Sequence, residues 1–175
     1  MSNSLDLQRL PCGEINFEKM IEGNLIYVDK TDLIFELTKI ESSPILFTSP
    51  RRFGKTILVS IFDTLFRQKT KYFKGLKIEK LWNDTGTYKV LHLDFSTIAS
   101  NDFEKFNREF TSALKSFAKE YHLTYSELLN EPRALLRELL SQCQNGEVVL
   151  LIDDYDLPLT SVGGESQSQK AIKEC

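Results

Sequence analysis

The stretch from residue 44 to residue 62, PILFTSPRRFGKTILVSIF, decides the predicted fold. Its apolar start at 44–48 predicts a β-strand. Its end predicts a helix, because apolar residues recur from Ile57 to Leu65 with the spacing of one buried helical face. The polar loop between them ends in Gly54-Lys55-Thr56. This order predicts a phosphate-binding loop, because the N–H groups and the dipole at a helix start attract an anion.

Six consecutive loop residues are candidate nucleotide ligands: Arg51, Arg52, Phe53, Gly54, Lys55 and Thr56. Gly54 lets the main chain approach a phosphate closely, Lys55 reaches the β- and γ-phosphate oxygens, and the Thr56 hydroxyl is a ligand for Mg²⁺. The full signature, G-x-x-x-x-G-K-S/T, begins with a glycine where this chain has Ser49. The alternative is an ordinary exposed helix start with a solvated lysine.

A second motif lies near the end of the chain. Residues 148–152, VVLLI, predict a buried parallel strand covered by helices, and Asp153 and Asp154 follow it. Asp153 is the second predicted Mg²⁺ ligand. Asp154 is the candidate catalytic residue, because it stands where a hydrolysing enzyme usually has a glutamate that polarises the attacking water. The alternative is a strand that ends in an aspartate-rich turn, but the two motifs together favour nucleotide binding.

The rest of the chain alternates between predicted strands and helices. A strand at 90–96 carries Asp94 and Ser96 at its end, and helices follow at 103–121 and 132–143. This alternation predicts an α/β fold with a mostly parallel sheet flanked by helices. The phenylalanine stripe of the helix at 103–121 has a helical period and predicts core packing rather than a binding surface. Asp94 and Ser96 either cap the next turn or contact water bound to Mg²⁺.

Composition limits the class of protein. The chain has 175 residues, 22 basic and 25 acidic side chains, and a net charge of −3, which argues against strong intrinsic nucleic-acid binding. No apolar run approaches the roughly 20 residues of a membrane span, and the first ten residues lack the apolar core of a signal peptide. The 3 cysteines are far apart, as in a cytoplasmic protein with reduced thiols.

Four motifs in sequence order carry a family resemblance: YVDKT at 27–31, PRRFGKT at 50–56, LDFS at 93–96 and LIDDYDLP at 151–158. They resemble the bacterial AAA-ATPase-like family, in which such a domain often precedes a restriction-endonuclease-like nuclease domain. The resemblance implies a P-loop NTPase fold that binds ATP and Mg²⁺. It places Lys55 and Thr56 at the phosphate and magnesium positions and Asp153 at the magnesium-binding aspartate.

The chain departs from the family pattern at two positions, and the second concerns turnover. Ser49 stands in place of an arginine, and Asp154 in place of a glutamate. The aspartate carboxylate falls about 1 Å short of the attacking water, and a misplacement of that size costs on the order of 10²-fold in rate. The expected function is therefore ATP binding with weak Mg²⁺-dependent hydrolysis. The alternative is a non-catalytic protein-interaction or DNA-associated regulatory module with a degenerate nucleotide site.

The resemblance also predicts the domain organisation. Residues 1–44 form an N-terminal segment packed on the core, residues 45–160 form the P-loop core, and residues 161–175 form a polar tail or the start of a missing region. The sheet is then incomplete at its C-terminal side, and its open edge is a candidate surface for self-association. For the motif at 27–31 the favoured interpretation is a structural turn with Thr31 capping the next helix, and the alternative is a nucleotide contact.

Overall fold

The computed structural model describes residues 8–40, 44–50, 52–98 and 102–157. The chain divides into two compact units, residues 1–86 and 87–175, and each unit has its own apolar core. The domain boundaries at 44 and 160 stay predictions, and the predicted tail at 161–175 lies outside the described residues.

The described part of the first unit is helical. It contains helices α1 (Phe17–Glu22), α2 (Thr31–Thr38) and α3 (Lys55–Phe66), followed by 3₁₀ helices at Thr70–Phe73 and Lys77–Lys80. Helix α3 follows the predicted phosphate loop directly, as the sequence predicts. The loop is thus placed by the helix that starts at its end.

The first unit packs its N-terminal helix against α3. Phe17 of α1 is fully buried, and its ring lies against the rings of Tyr27 and Phe73. The Phe17 amide also donates a hydrogen bond of 2.9 Å to the Ser60 hydroxyl of α3. The other buried apolar residues of this core are Ile34, Ile61, Leu65, Tyr72, Phe73 and Ile78. Because α3 is packed in this core, it fixes the position of the loop end at which it begins.

The predicted strand at 44–48 is wrong for the structure. Residues 44–50 contain no strand, and Ile45, Leu46 and Phe47 are exposed. A strand needs the main-chain groups of a neighbour. Within the described residues of this unit, the isolated bridge between Arg9 and Leu25 is the one β-pairing. The apolar pattern at 44–48 therefore indicates strand propensity, but it does not show whether a neighbouring strand is present.

The second unit combines two parallel strands with helices. Its elements are β1 (Lys89–Asp94), α4 (Phe95–Ile98), α5 (Phe103–Glu120), α6 (Pro132–Ser141) and β2 (Val148–Asp153). Strands β1 and β2 pair in parallel with a long helical connection between them, so the predicted α/β class is confirmed.

The phenylalanine stripe of α5 faces the core, as the sequence predicts. Phe106 and Phe117 are buried, and Leu114 between them is fully buried. The core also takes Leu91, Leu93, Ile98, Ala118, Leu135 and Leu139. The prediction that helices cover β2 on both sides is wrong for Leu150 and Ile152, which are 50% and 41% exposed. In the part of the chain that the structure describes, β2 pairs with β1 alone.

Candidate functional site

The start of helix α3 is open to an anion. Its N-cap residue is Gly54, with φ 82° and ψ 24°, a left-handed conformation that favours glycine. Among the described residues no side chain caps the helix, and its first turn holds no acidic residue. The first N–H groups of a helix lack partners within it, and the helix dipole gives that end a partial positive charge. The geometry thus leaves these donors for a negatively charged group.

The Lys55 ammonium folds back over the loop. It donates to the carbonyl oxygen of Ser49 at 3.0 Å and to that of Pro50 at 3.3 Å. These two bonds join the first residues of the loop to the first residue of α3. The Thr56 hydroxyl, one residue further, has no hydrogen-bond partner among the described residues. The two polar side chains at the start of α3 thus differ, one paired with the loop and the other unpaired.

Other candidate ligands lie on the loop surface. Phe53 is 72% exposed, and Arg52 is exposed with φ 67°, a left-handed conformation that is uncommon for a residue with a side chain. Such backbone strain concentrates at ligand-binding segments. Arg51 lies outside the described residues. The structure therefore places Arg52, Phe53, Gly54, Lys55 and Thr56 in one continuous segment.

In the second unit, two carboxylates end the paired strands. Asp94 of β1 lies opposite Asp153 of β2 in the parallel register. Asp94 accepts hydrogen bonds from the Ser96 amide at 2.8 Å and the Ser96 hydroxyl at 2.6 Å. The predicted capping role is therefore confirmed for Asp94, and Ser96 supplies the two donors.

Asp153 has the chemistry of a hard-cation ligand. It is 5% exposed, and one of its carboxylate oxygens accepts a 3.0 Å bond from the Asp154 amide. No described basic side chain forms an ion pair with it. No described group of three or more acidic, histidine or cysteine side chains could hold a metal. That finding is compatible with Mg²⁺, which takes one or two protein ligands and completes its shell with water and phosphate oxygens.

Asp154 occupies a tight turn directly after β2. Its φ is 51°, a left-handed conformation that aspartate tolerates better than most residues, and its carbonyl accepts a 3.0 Å bond from the Leu157 amide. This turn places the candidate catalytic residue directly after the last residue of β2. The structure brings Asp153 and Asp154 together, whereas the residues of the loop belong to the other unit.

The motif at 27–31 forms a structural clamp. Asp29 accepts bonds from the Thr31 amide at 2.9 Å and the Thr31 hydroxyl at 2.6 Å, and its second carboxylate oxygen accepts 2.8 Å from the Lys77 amide. The buried Thr31 hydroxyl also accepts a 3.1 Å bond from the Ile78 amide. Helix α2 begins at Thr31, with Lys30 as its N-cap, so the prediction that Thr31 caps this helix is wrong. Its hydroxyl instead binds the start of a distant 3₁₀ helix.

The electrostatics of this clamp follow from its contacts. Burial opposes ionisation of Asp29, but the bonds from Thr31 and Lys77 outweigh it and lower the pKa of that carboxyl. Burial and the neighbouring Asp29 charge raise the pKa of Tyr27 to about 12. Sequence reasoning missed Lys77 and Ile78, because main-chain donors 47 and 48 residues away leave no local pattern.

Comparison with known proteins extends the sequence resemblance. Residues 11–175 match the model of the AAA-ATPase-like family, described as a predicted AAA-ATPase. A protein of Azotobacter chroococcum mcd 1, "Uncharacterized protein in vnfD 5'region", is 33% identical over 157 residues. That alignment covers 87% of this chain and 30% of the relative, so the chain spans less than a third of the protein that it matches.

Two further observations complete the description of the chain. No solved structure matches the chain. None of the helices in the described ranges combines the length and the apolar character that crossing a bilayer requires. The family match covers both compact units and includes the phosphate-loop sequence and the paired aspartates. The chain therefore belongs to the AAA-ATPase-like family.

Proposed function

We propose that this chain binds ATP through the loop at 49–56. The single observation that carries the proposal is the uncapped start of α3, with a left-handed Gly54 before it and Lys55 beside it. Amide donors, a positive dipole end and an ammonium group suit a triphosphate. Family membership supports ATP as the ligand. Arg51 and Arg52 add positive charge, and Phe53 belongs to the same binding segment.

Binding requires Lys55 to change partners. In the structure its ammonium donates to the Ser49 and Pro50 carbonyls. A phosphate oxygen carries the charge opposite to that of the ammonium, whereas a carbonyl oxygen is neutral, so the exchange favours the bound state. The Thr56 hydroxyl and the Asp153 carboxylate are the proposed protein ligands of Mg²⁺. The ion, when bound, neutralises charge on the phosphates.

Asp154 is proposed as the residue that orients the attacking water. Its carboxylate is one methylene shorter than the family's glutamate, and the residue directly follows the end of β2. We therefore propose ATP binding with slow Mg²⁺-dependent hydrolysis. Binding has the broader support, because it depends on the loop and the helix start rather than on the position of one carboxylate.

Calorimetric titration with ATP and Mg²⁺ tests the binding site. Lys55→Ala is expected to weaken ATP binding by at least about 10²-fold, because the removed ammonium forms charge-assisted bonds to the phosphates. Lys80→Ala removes an exposed lysine of the same unit outside the loop and is the matched control, with unchanged affinity. Equal affinities of wild type and Lys55→Ala would exclude this loop as the site.

The turnover step is tested separately by Asp154→Glu. The longer side chain is expected to raise the rate of ATP hydrolysis, up to the order of 10²-fold, with ATP affinity unchanged. Phosphate release under saturating ATP measures the rate. A rate that stays at the wild-type level, in a variant that still binds ATP, would show that the length of this carboxylate does not limit hydrolysis.

A further inference from the structure

A basic groove lies on the second unit, away from both nucleotide motifs in sequence. It has a volume of about 760 Å³ and runs along α5, with the segment from Leu123 to Asn130 on its other side. The described residues of its lining include Arg108, Lys115 and Lys119 and contain no carboxylate. The whole chain carries more acidic than basic residues, so this local excess of positive charge differs from its surroundings. The groove therefore suits an acidic ligand.

The three cations form a row. Their spacing along α5 is i, i+7 and i+11, which places them within about 40° of one another around the helix axis and over a length of about 16 Å. Among the described residues neither Arg108 nor Lys119 forms an ion pair. Lys115 lies 3.4 Å from Glu127, whose side chain is 78% exposed and is not among the described lining residues. A single small anion does not span this row, whereas an extended segment with several carboxylates does.

The rest of the lining favours a polypeptide over a nucleic acid. Leu123 and Tyr125 offer apolar contact area for the side chains of a peptide, and the chain's net charge of −3 argues against a nucleic acid. Among the described residues, Asn107 Oδ1 and Thr111 Oγ1 are buried in the groove wall without a hydrogen-bond partner, and a donor on a side chain of the segment would satisfy them.

We propose that this groove docks an acidic, partly apolar segment of a partner protein. Carboxylates of the segment pair with Arg108, Lys115 and Lys119, and its apolar side chains contact Leu123 and Tyr125. A helical segment has the same rise per residue as α5, so carboxylates at the same spacing meet all three cations. The proposal is independent of ATP binding, because it rests on no residue of the nucleotide site.

Fluorescence anisotropy with a labelled peptide tests the groove. The probe is a helical peptide of about 18 residues built from Glu, Leu and Ala, with Glu at i, i+7 and i+11, long enough to cover the row. The full chain is expected to bind it saturably, and more weakly as ionic strength rises. Lys119→Glu is expected to weaken binding by about tenfold, because it replaces an attraction by a repulsion.

Lys105→Glu is the matched control. It makes the same charge change on an exposed side chain of the same helix, outside the groove, and should alter the affinity by less than about twofold. Absence of saturable binding, or equal losses in the two variants, would overturn the proposal. Single-stranded DNA that binds more tightly than the peptide, with the same loss in Lys119→Glu, would assign the groove to nucleic acid instead.

Discussion

The clamp at 27–31 and the loop at 49–56 lie in the same compact unit, and both carry charged and hydroxyl side chains next to the start of a helix. They differ in how those polar groups are used. In the clamp, Asp29 and Thr31 make four hydrogen bonds to each other and to the amides of Lys77 and Ile78. In the loop, the start of α3 is uncapped and the Thr56 hydroxyl is unpaired among the described residues.

This difference separates a residue that stabilises the fold from one that is available to a ligand. A buried polar group whose partners are all within the chain has its main effect on stability. A helix start without a cap leaves donors that a ligand can use. Two threonines make the comparison testable, because the same substitution, threonine to valine, removes one hydroxyl from each region at nearly constant side-chain volume.

Thr31→Val should have the largest effect on stability. The side chain is fully buried, and its hydroxyl bridges Asp29 and the Ile78 amide. Valine leaves that buried amide without a partner, which costs about 1–3 kcal/mol in free energy of unfolding. Urea denaturation measures the loss. ATP affinity of the folded variant should stay at the wild-type level.

The result that would break the comparison is specific. If Thr31→Val changes the free energy of unfolding by less than about 0.5 kcal/mol, the usual range for a surface substitution, then the hydroxyl bridge does not stabilise the fold. If the folded variant loses ATP affinity, the motif at 27–31 contributes to the nucleotide site, the alternative that the sequence left open.

Thr56→Val should show the reverse pattern. Its hydroxyl has no partner among the described residues, so the free energy of unfolding should change by less than about 0.5 kcal/mol. ATP affinity in the presence of Mg²⁺ should fall by about tenfold, the equivalent of one lost ligand contact. Titration with ATP and EDTA is the control, in which the two proteins should bind alike. A loss of the same size without Mg²⁺ would exclude a metal-ligand role.

Much of the second unit follows from local sequence patterns. The helical period of the phenylalanine stripe predicts α5 and its buried face, and the apolar runs predict both strands of the parallel pair. The strand at 44–48 fails because strand formation depends on a neighbour, which a local pattern does not contain. The exposure of Leu150 has the same origin, since burial of a strand face depends on what packs against it.

The candidate site divides in the same way. Gly54-Lys55-Thr56 is recognisable because loop and helix start are contiguous in sequence, so local chemistry is enough. The clamp is not recognisable, because its donors at Lys77 and Ile78 come from a distant 3₁₀ helix. The basic groove could not be predicted from the sequence for another reason. The apolar period of α5 predicts which of its faces packs against the core. Whether its polar face forms a groove depends on the segment from Leu123 to Asn130, which a local pattern does not place.

The smallest predicted effect is the pH dependence of the clamp. The folded pKa of Asp29 lies below its ordinary value, since the bonds from Thr31 and Lys77 outweigh burial. Its ionised form therefore stabilises the fold above that ordinary value, about 3.9, and the contribution disappears as the pH falls through the folded pKa. Asp32, hydrogen-bonded to Lys77, also has a lowered pKa, which adds to the loss at acid pH.

Asp29→Asn isolates one part of this dependence. Asparagine keeps one oxygen for Thr31 but turns an amide donor toward the Lys77 amide, so the variant is less stable than wild type at neutral pH. This variant should lose less free energy of unfolding than Thr31→Val does, because Asp29 is only partly buried. Protonation also removes an acceptor from wild-type Asp29. The difference in free energy of unfolding between wild type and variant should therefore narrow as the pH falls below about 3.9. Urea denaturation at neutral and at acid pH measures this difference in free energy of unfolding at each pH. A difference that stays constant would mean that the charge of Asp29 contributes nothing to the clamp and that its hydrogen-bond geometry accounts for the whole effect.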